Sequence, residues 1–356
     1  MIKKSILIAF VILSLFACSH QDKLVLRPAS YEELPGWGKD KYKNALKTFN
    51  ISCTRFSKQK PENKIHTSGV GGEIAKWQDI CNKAAITPKN DASAREFFEK
   101  NFAPFSVKNG SKEKGLFTGY YEASLEASRK KHGIYIYPIY AKPKNLGLGQ
   151  KYFTRKEIEL GALAGQQLEL FYVSDKVELF FLQIQGSGVL HLDNGEYVRV
   201  GYAGQNGYPY TPIGKHLIKT NEIKKEDMSA QAIKNWLRKN NTQADKVMDL
   251  NESYVFFREV VGKGPIGGAG VPLTKWRSLA VDKNFIPYGA PLWLNVNFKS
   301  INGQNKNTSR LMVAQDTGGA IKGPIRGDIF FGRGQKAENY ASSQNSEGSY
   351  FMLLPK

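Results

Sequence analysis

The chain has 356 residues and a formal charge of +19, with 51 Lys and Arg against 32 Asp and Glu. That length holds two domains and a sizeable core. The basic excess points to acidic partners, although charge alone does not separate a specific partner from general surface attraction. Five histidines, His20, His66, His132, His191 and His216, are scattered without metal-ligand spacing to one another or to a cysteine, which argues against a zinc site.

The first elements are an address. Lys3 and Lys4 precede an apolar run from Ile6 to Ala17, too short to span a bilayer, and together they read as a secretory signal over residues 1–17. Leu15-Phe16-Ala17-Cys18 has the form of a lipobox, which makes Cys18 the expected site of lipid attachment. Acyl chains on one cysteine anchor firmly, at about 0.8 kcal/mol per buried CH₂. Ser19 at the next position favours the outer membrane, so the expectation is a lipid-anchored protein facing the periplasm. Nucleic acid is then not an expected partner, whereas peptidoglycan carries peptide carboxylates and lies within reach. No later apolar stretch is long enough to cross a membrane.

Helices come next. Tyr42, Leu46, Phe49, Cys53 and Phe56 fall on one helical face, as do Trp77, Ile80, Cys81 and Ala84. Ala94, Phe97, Phe98 and Phe102 repeat the pattern after a cap expected at Asp91. Cys53 and Cys81 sit on apolar faces of neighbouring helices. In an oxidising compartment they are expected to pair, with buried free thiols as the alternative. Beyond about residue 115 the period changes to two. Ile134–Tyr140, Leu168–Val173 and Val177–Gln185 read as strands. The capping box Thr154-x-x-Glu157 starts one helix, and Ser229 to Leu237 forms another. Lys239–Asp245 is polar and reads as a boundary or surface loop. Strands resume at Ser253–Glu259, Pro291–Val296, Arg310–Ala314 and Asp328–Phe331. Many short strands between the 34 glycines favour a barrel over a parallel sheet.

Near the C-terminus, Asp282, Asp316 and Asp328 each lie at one end of an apolar run, beside a glycine or turn. Ile329, Phe330 and Phe331 would desolvate Asp328 and raise its pKa, as a general acid needs; Lys322 and Arg326 would act in the opposite direction. Turn capping is the plain alternative for any one of these aspartates.

The segments around them form longer motifs. They include Gly268-Ala-Gly-Val-Pro-Leu-Thr-x-x-Arg-Ser-Leu-Ala-Val-Asp282, Ile286-Pro-Tyr-Gly-Ala-Pro-Leu-Trp293, Gln315-Asp-Thr-Gly-Gly-Ala-Ile-Lys-Gly323 and Arg326-Gly-Asp-Ile-Phe-Phe-Gly-Arg-Gly334. Here the chain resembles the three-aspartate domain of the membrane-bound lytic transglycosylase A (MltA) family. Phe117-Thr-Gly-Tyr-Tyr-Glu122 and Phe181-Leu-Gln-Ile-Gln-Gly-Ser-Gly188 match that family's insert, with Gly201-Tyr and Gly207-Tyr-Pro-Tyr-Thr-Pro-Ile-Gly214 following. One departure is Trp276, where relatives often carry glycine; it would narrow the local groove or have no effect.

The resemblance implies a mainly β protein: a double-psi β-barrel over residues 18–114 and 250–356, with helices in its N-terminal part, interrupted by a smaller β domain at 115–249. It implies a glycan groove between them. Asp328 would be catalytic, Asp316 and Asp282 supporting, and Thr118, Tyr120, Gln183, Gln185 and Ser187 would contact substrate. No cofactor or metal is implied. Peptidoglycan strands are the expected substrate, and proteins of cell-wall synthesis or division are candidate partners. The implied reaction cuts between N-acetylmuramic acid and N-acetylglucosamine without water, through one acid/base and a 1,6-anhydro product.

Three alternatives remain at this point. A hydrolase would use a second carboxylate to activate water. Asp316-Thr-Gly318 resembles half of an aspartic protease site, which needs two such aspartates. A wall-binding lipoprotein would have no chemistry.

Overall fold

The computed structural model describes residues 22–147, 149–262, 264–299 and 305–356. The signal segment and Cys18 lie outside the described residues. The front of the chain comprises β1 (Leu24–Pro28), α1 (Tyr42–Phe56), α2 (Ile74–Ile86), α3 (Asp91–Asn101) and β2 (Phe102–Asn109). All three helices bury the aromatic stripe that their spacing predicts: Phe49 packs edge-on to Phe102 at 5.6 Å, and Phe56 lies 5.3 Å from Trp77. A disulfide joins Cys53 of α1 to Cys81 of α2, with 5.6 Å between their Cα atoms. A covalent loop of this size stabilises by about 3 kcal/mol in the chain-entropy model. The cap of α3 is Asn90, whose side chain accepts from Ser93 N–H; Asp91, the expected cap, instead accepts from Lys43 N–H.

The middle of the chain follows with β3 (Gly115–Ser128), β4 (Tyr137–Tyr140), α4 (Arg155–Glu157), β5 (Glu169–Val173) and α5 (Lys176–Gln185). Then come β6 (Ser187–Leu192), β7 (Tyr197–Gln205), α6 (Ile213–Lys219), α7 (Ala230–Lys239), α8 (Asn241–Asp249) and β8 (Val255–Glu259). Three segments differ from expectation. Val177–Gln185 is helical, because Asp175 caps the amides of Val177 and Glu178 and Gly186, at φ +76°, closes the other end. A buried helix is apolar on most sides, so its periodicity is weak and a short apolar run is ambiguous. Lys239–Asp245 runs into α8, which buries Ala244, Val247 and Met248. The strand expected from Ile134 begins only at Tyr137, with Ile134 and Ile136 exposed.

The last third holds β9 (Ser278–Val281), β10 (Pro291–Lys299), β11 (Asn305–Asp316), β12 (Arg326–Arg333), α9 (Gln335–Ser343) and β13 (Asn345–Pro355). Six strands pair in a closed ring, in the order β13, β10, β11, β9, β12, β3 and back to β13. Two of its pairings, β9 with β11 and β3 with β12, are parallel. The ring encloses Phe117, Leu279, Val281, Leu292, Met312 and Met352, all nearly free of solvent.

One strand links the two sheets. Residues Gly115 to Glu122 of β3 pair inside the ring, and Ala123 to Ser128 pair with β6 and β5 in the middle segment. At the other junction, β8 falls within the stretch expected to belong to the ring but pairs with β7.

Candidate active site

β3 and β12 lie side by side, with Thr118 opposite Asp328 and Tyr120 opposite Phe330. Alternate residues of a strand share a face. Thr118 and Tyr120 therefore stand on one side with Arg326, Asp328 and Phe330. Phe117, Gly327, Ile329 and Phe331 turn the other way and are buried. Gly119 also turns inward, where a Cβ would lie 2.1 Å from Phe331 Cε2. Only glycine permits that approach.

Asp328 is 19% exposed. Arg326 Nη1 donates to Asp328 Oδ1 at 2.8 Å and to the Gly327 carbonyl at 2.7 Å, while Nη2 donates to Thr118 Oγ1 at 2.8 Å. Burial raises the Asp328 carboxyl above its ordinary value. The charge and hydrogen bond of Arg326, and a hydrogen bond from the Thr118 backbone, oppose that rise without cancelling it.

Asp316 ends β11 close by. Its Oδ2 accepts from the Tyr120 hydroxyl at 2.7 Å, and its Oδ1 accepts from the N–H groups of Gly268 and Thr317, each at 2.8 Å. Burial raises this carboxyl too; the three hydrogen bonds act against the rise and the neighbouring Asp328 adds to it. The Tyr120 phenol is raised well above its usual value, by burial first and by Asp316 second, so it stays a donor. Asp282, just past β9, is 4% exposed; its oxygens accept from Asn284 N–H at 3.0 Å and Gly323 N–H at 2.8 Å. It braces two turns.

The other expected contacts divide. Thr118 and Tyr120 reach the acidic cluster directly. Gln183 and Gln185 do not share a strand face, because residues two apart in a helix point about 200° apart. Gln185 Oε1 accepts from Tyr121 N–H at 3.2 Å and so props the strand that carries Tyr120. Gln183 is buried and lies against Tyr254, in a separate apolar cluster with Tyr140 and Phe256. Ser187 opens β6, opposite Gly201 of β7.

Of two further participants, Arg326 is expected from sequence to act on Asp328 only through its charge, and Gly268 is marked only as the start of a motif. Arg326 is two residues from Asp328 on one strand, and that parity was the available signal for its contact. Gly268 supplies an amide to Asp316 from the glycine-rich segment 262–270. Trp276 does not border the acidic cluster. It adopts φ +63°, a conformation that favours glycine, and packs against Phe331 at 4.6 Å and Tyr340 at 5.0 Å, with Arg310 over its ring at 4.9 Å. Phe331 turns away from the face of Asp328. Backbone strain of about 1–3 kcal/mol is offset by aromatic contacts of about 0.5–1.5 kcal/mol each.

The MltA specific insert domain matches residues 116–258 of this chain, and the 3D domain matches residues 277–354. The chain is 36% identical to the membrane-bound lytic murein transglycosylase A homolog of Buchnera aphidicola, over 86% of this chain and 82% of that protein. It is 37% identical to membrane-bound lytic murein transglycosylase A of Escherichia coli K12, over 67% of this chain and 65% of that protein. The structure resembles a membrane-bound lytic murein transglycosylase from Agrobacterium tumefaciens, with a TM-score of 0.83 and 31% identity over 93% of this chain and 97% of that one. It also resembles E. coli MltA with bound chitohexaose, with a TM-score of 0.70 and 28% identity over 93% and 91% of the two chains. The fold matches these solved lytic murein transglycosylases, which are lyases. Within that class, the chain belongs to the membrane-bound lytic murein transglycosylase A family.

Proposed function

We propose that this chain cleaves the glycan strands of peptidoglycan between N-acetylmuramic acid and N-acetylglucosamine without water, leaving 1,6-anhydro ends. The observation that carries the reading is the contrast among its carboxylates. Asp328 sits on the face that β12 shares with Thr118 and Tyr120 of β3, and its pKa is raised. Both oxygens of Asp316 and both of Asp282 are engaged by fixed donors. Neither of these two carboxylates is left free to activate a water, as a hydrolase or a two-aspartate protease requires.

In this reading protonated Asp328 gives its proton to the glycosidic oxygen while the bond to C1 breaks. Positive charge develops at C1 and the ring oxygen. The resulting carboxylate removes the proton of the muramic acid C6 hydroxyl, whose oxygen bonds to C1. The nucleophile belongs to the same sugar, so its effective concentration is already high. Arg326 holds the ionised form of Asp328 in place between the two transfers. Tyr120 and Asp316 fix one wall of the site, and Thr118 fixes Arg326. Mass spectrometry of muropeptides from purified walls should show anhydro ends with the wild-type chain and none with Asp328→Asn. Reducing ends would make the chain a hydrolase.

The relatives are named membrane-bound, and among the described residues no helix is long and apolar enough to cross a membrane. The Cys18 lipobox supports anchoring by lipid, and Ser19 supports the outer membrane, with the enzyme on the periplasmic side. Cys18→Ala should release an active protein from the membrane fraction. Continued pelleting with outer membranes in high salt would remove lipid as the main anchor.

A further inference from the structure

β12 does not keep its register along β3. Phe330 pairs with Tyr120 and Arg333 with Glu122, so three steps on β12 match two on β3. The extra residue is accommodated at Gly332, which has φ +96°. Such a bulge re-aims the side chains beyond it. Without it, Arg333 would differ in parity from Asp328 and point to the opposite face. With it, Arg333 shares the face of Glu122, and hence of Tyr120, Thr118 and Asp328. Thr118 and Glu122 are four residues apart on β3, so Arg333 stands roughly 13 Å along this strand face from Asp328.

The charges there do not cancel. Glu122 is 3% exposed and accepts from Arg199 Nε at 3.1 Å. Arg199 also donates to the Gly262 carbonyl, which brings the glycine-rich segment over the same face. Arg333 is exposed, lies near enough to Glu122 to act on it electrostatically, and makes no hydrogen bond or ion pair among the described residues. Lys275, also exposed, packs beside Gly332: a Cβ there would lie 3.1 Å from Lys275 Cβ. Among the described residues, two cations without ion pairs therefore flank the bulge, and the local acid is already matched by Arg199.

We propose that Arg333 binds a carboxylate of the substrate, on a sugar unit removed from the bond being cut. An arginine fork suits a carboxylate geometrically. The carboxylate belongs to a muramic-acid unit, either on its attached peptide or on its lactyl group where the peptide has been removed. A neutral N-acetylglucosamine oligomer offers none. Arg333 would thus be the residue that separates wall glycan from neutral glycan of the same backbone.

This inference rests on the proposed action on peptidoglycan, so its test measures binding rather than cutting. The full chain carrying Asp328→Asn is titrated with peptide-bearing glycan strands, with amidase-stripped strands and with chitohexaose. Adding Arg333→Gln should weaken binding of the anionic strands about tenfold and leave chitohexaose unchanged. The loss should shrink as salt is raised, and Arg333→Lys should restore part of it. Loss confined to peptide-bearing strands assigns the carboxylate to the peptide, and loss confined to stripped strands assigns it to the lactyl group. Equal loss with chitohexaose, or no loss with either anionic strand, would overturn the assignment. If the Asp328→Asn parent bound none of the three, the glycan-cutting reading would fail with it.

Discussion

Two clusters of buried charge, one in the inserted segment and one on the ring face around Asp328, are satisfied to different degrees. In the insert, Arg155 is 1% exposed and held at all three nitrogens: Nε donates to the Asn251 carbonyl, Nη2 to the Ser253 carbonyl and Nη1 to Glu159. Lys234 is 2% exposed and donates to Glu178 at 2.7 Å and to Glu338 at 2.8 Å; Glu338 also accepts from Tyr121. Glu338 lies on α9, so this cluster ties the insert to the final segment of the chain. On the ring face, Asp328 has one cation beside it and still holds a raised pKa. Saturated charge fixes structure, and charge left partly unsatisfied remains able to exchange a proton.

The contrast can be broken most forcibly at Asp328. Asp328→Asn should lower the rate of wall cutting by at least about 10²–10⁴-fold, the range for a lost general acid/base. It should not destabilise the fold. A carboxyl whose folded pKa is raised favours folding only below its unfolded pKa, and that advantage is lost as pH rises through the folded one. At neutral pH the neutral Asn therefore removes a cost, and the variant should melt at or above the wild-type temperature. The difference should vanish in acid, which thermal melts at two pH values will show.

At Lys234 the opposite pattern is expected. Lys234→Met leaves Glu178 and Glu338 without their shared cation and should cost about 3 kcal/mol, the lower end for breaking a buried pair. Calorimetry should show a lower melting temperature. Rescue by adding Glu338→Gln would confirm that unpaired charge, rather than lost packing, causes it.

Arg326 sharpens the comparison through pH. Cutting needs protonated Asp328, so activity should fall as pH rises through its raised pKa. Arg326→Gln removes the cation that pulls this pKa down. The alkaline limb of the rate profile should move to higher pH while the maximal rate drops. An unmoved limb would assign it to another group.

The smallest effect is expected at Gln185. Because it satisfies the Tyr121 amide, Gln185→Ala should cost about 1 kcal/mol of stability, the net contribution of one hydrogen bond. Glycan affinity measured on the same protein should not change. Reduced affinity at unchanged stability would return Gln185 to the substrate.

Much of this contrast could be read from the residues. The aromatic stripes of α1 to α3 and the alternation along β10 to β12 follow single periods, and the acids lie at the ends of apolar runs. Val177–Gln185 could not be assigned by period, because a helix buried on most sides has no polar face to mark it. A strand there would put Gln183 and Gln185 on one face, whereas the helix turns them apart. α8 was hidden by a polar exposed face preceding Ala244, Val247 and Met248. The Arg326–Asp328 pair was legible from parity. The placing of Arg333 was not, since it depends on a register shift created by the pairing of β12 with a strand more than two hundred residues away.

The account rests on a reaction in which no water enters the product. Wall digestion in heavy-oxygen water, followed by mass spectrometry of the newly cut muramic acid ends, tests this directly. Anhydro ends without heavy oxygen are predicted. Ends that are reducing and carry one heavy oxygen per cut would contradict the single-aspartate mechanism and require a second carboxylate to activate the water.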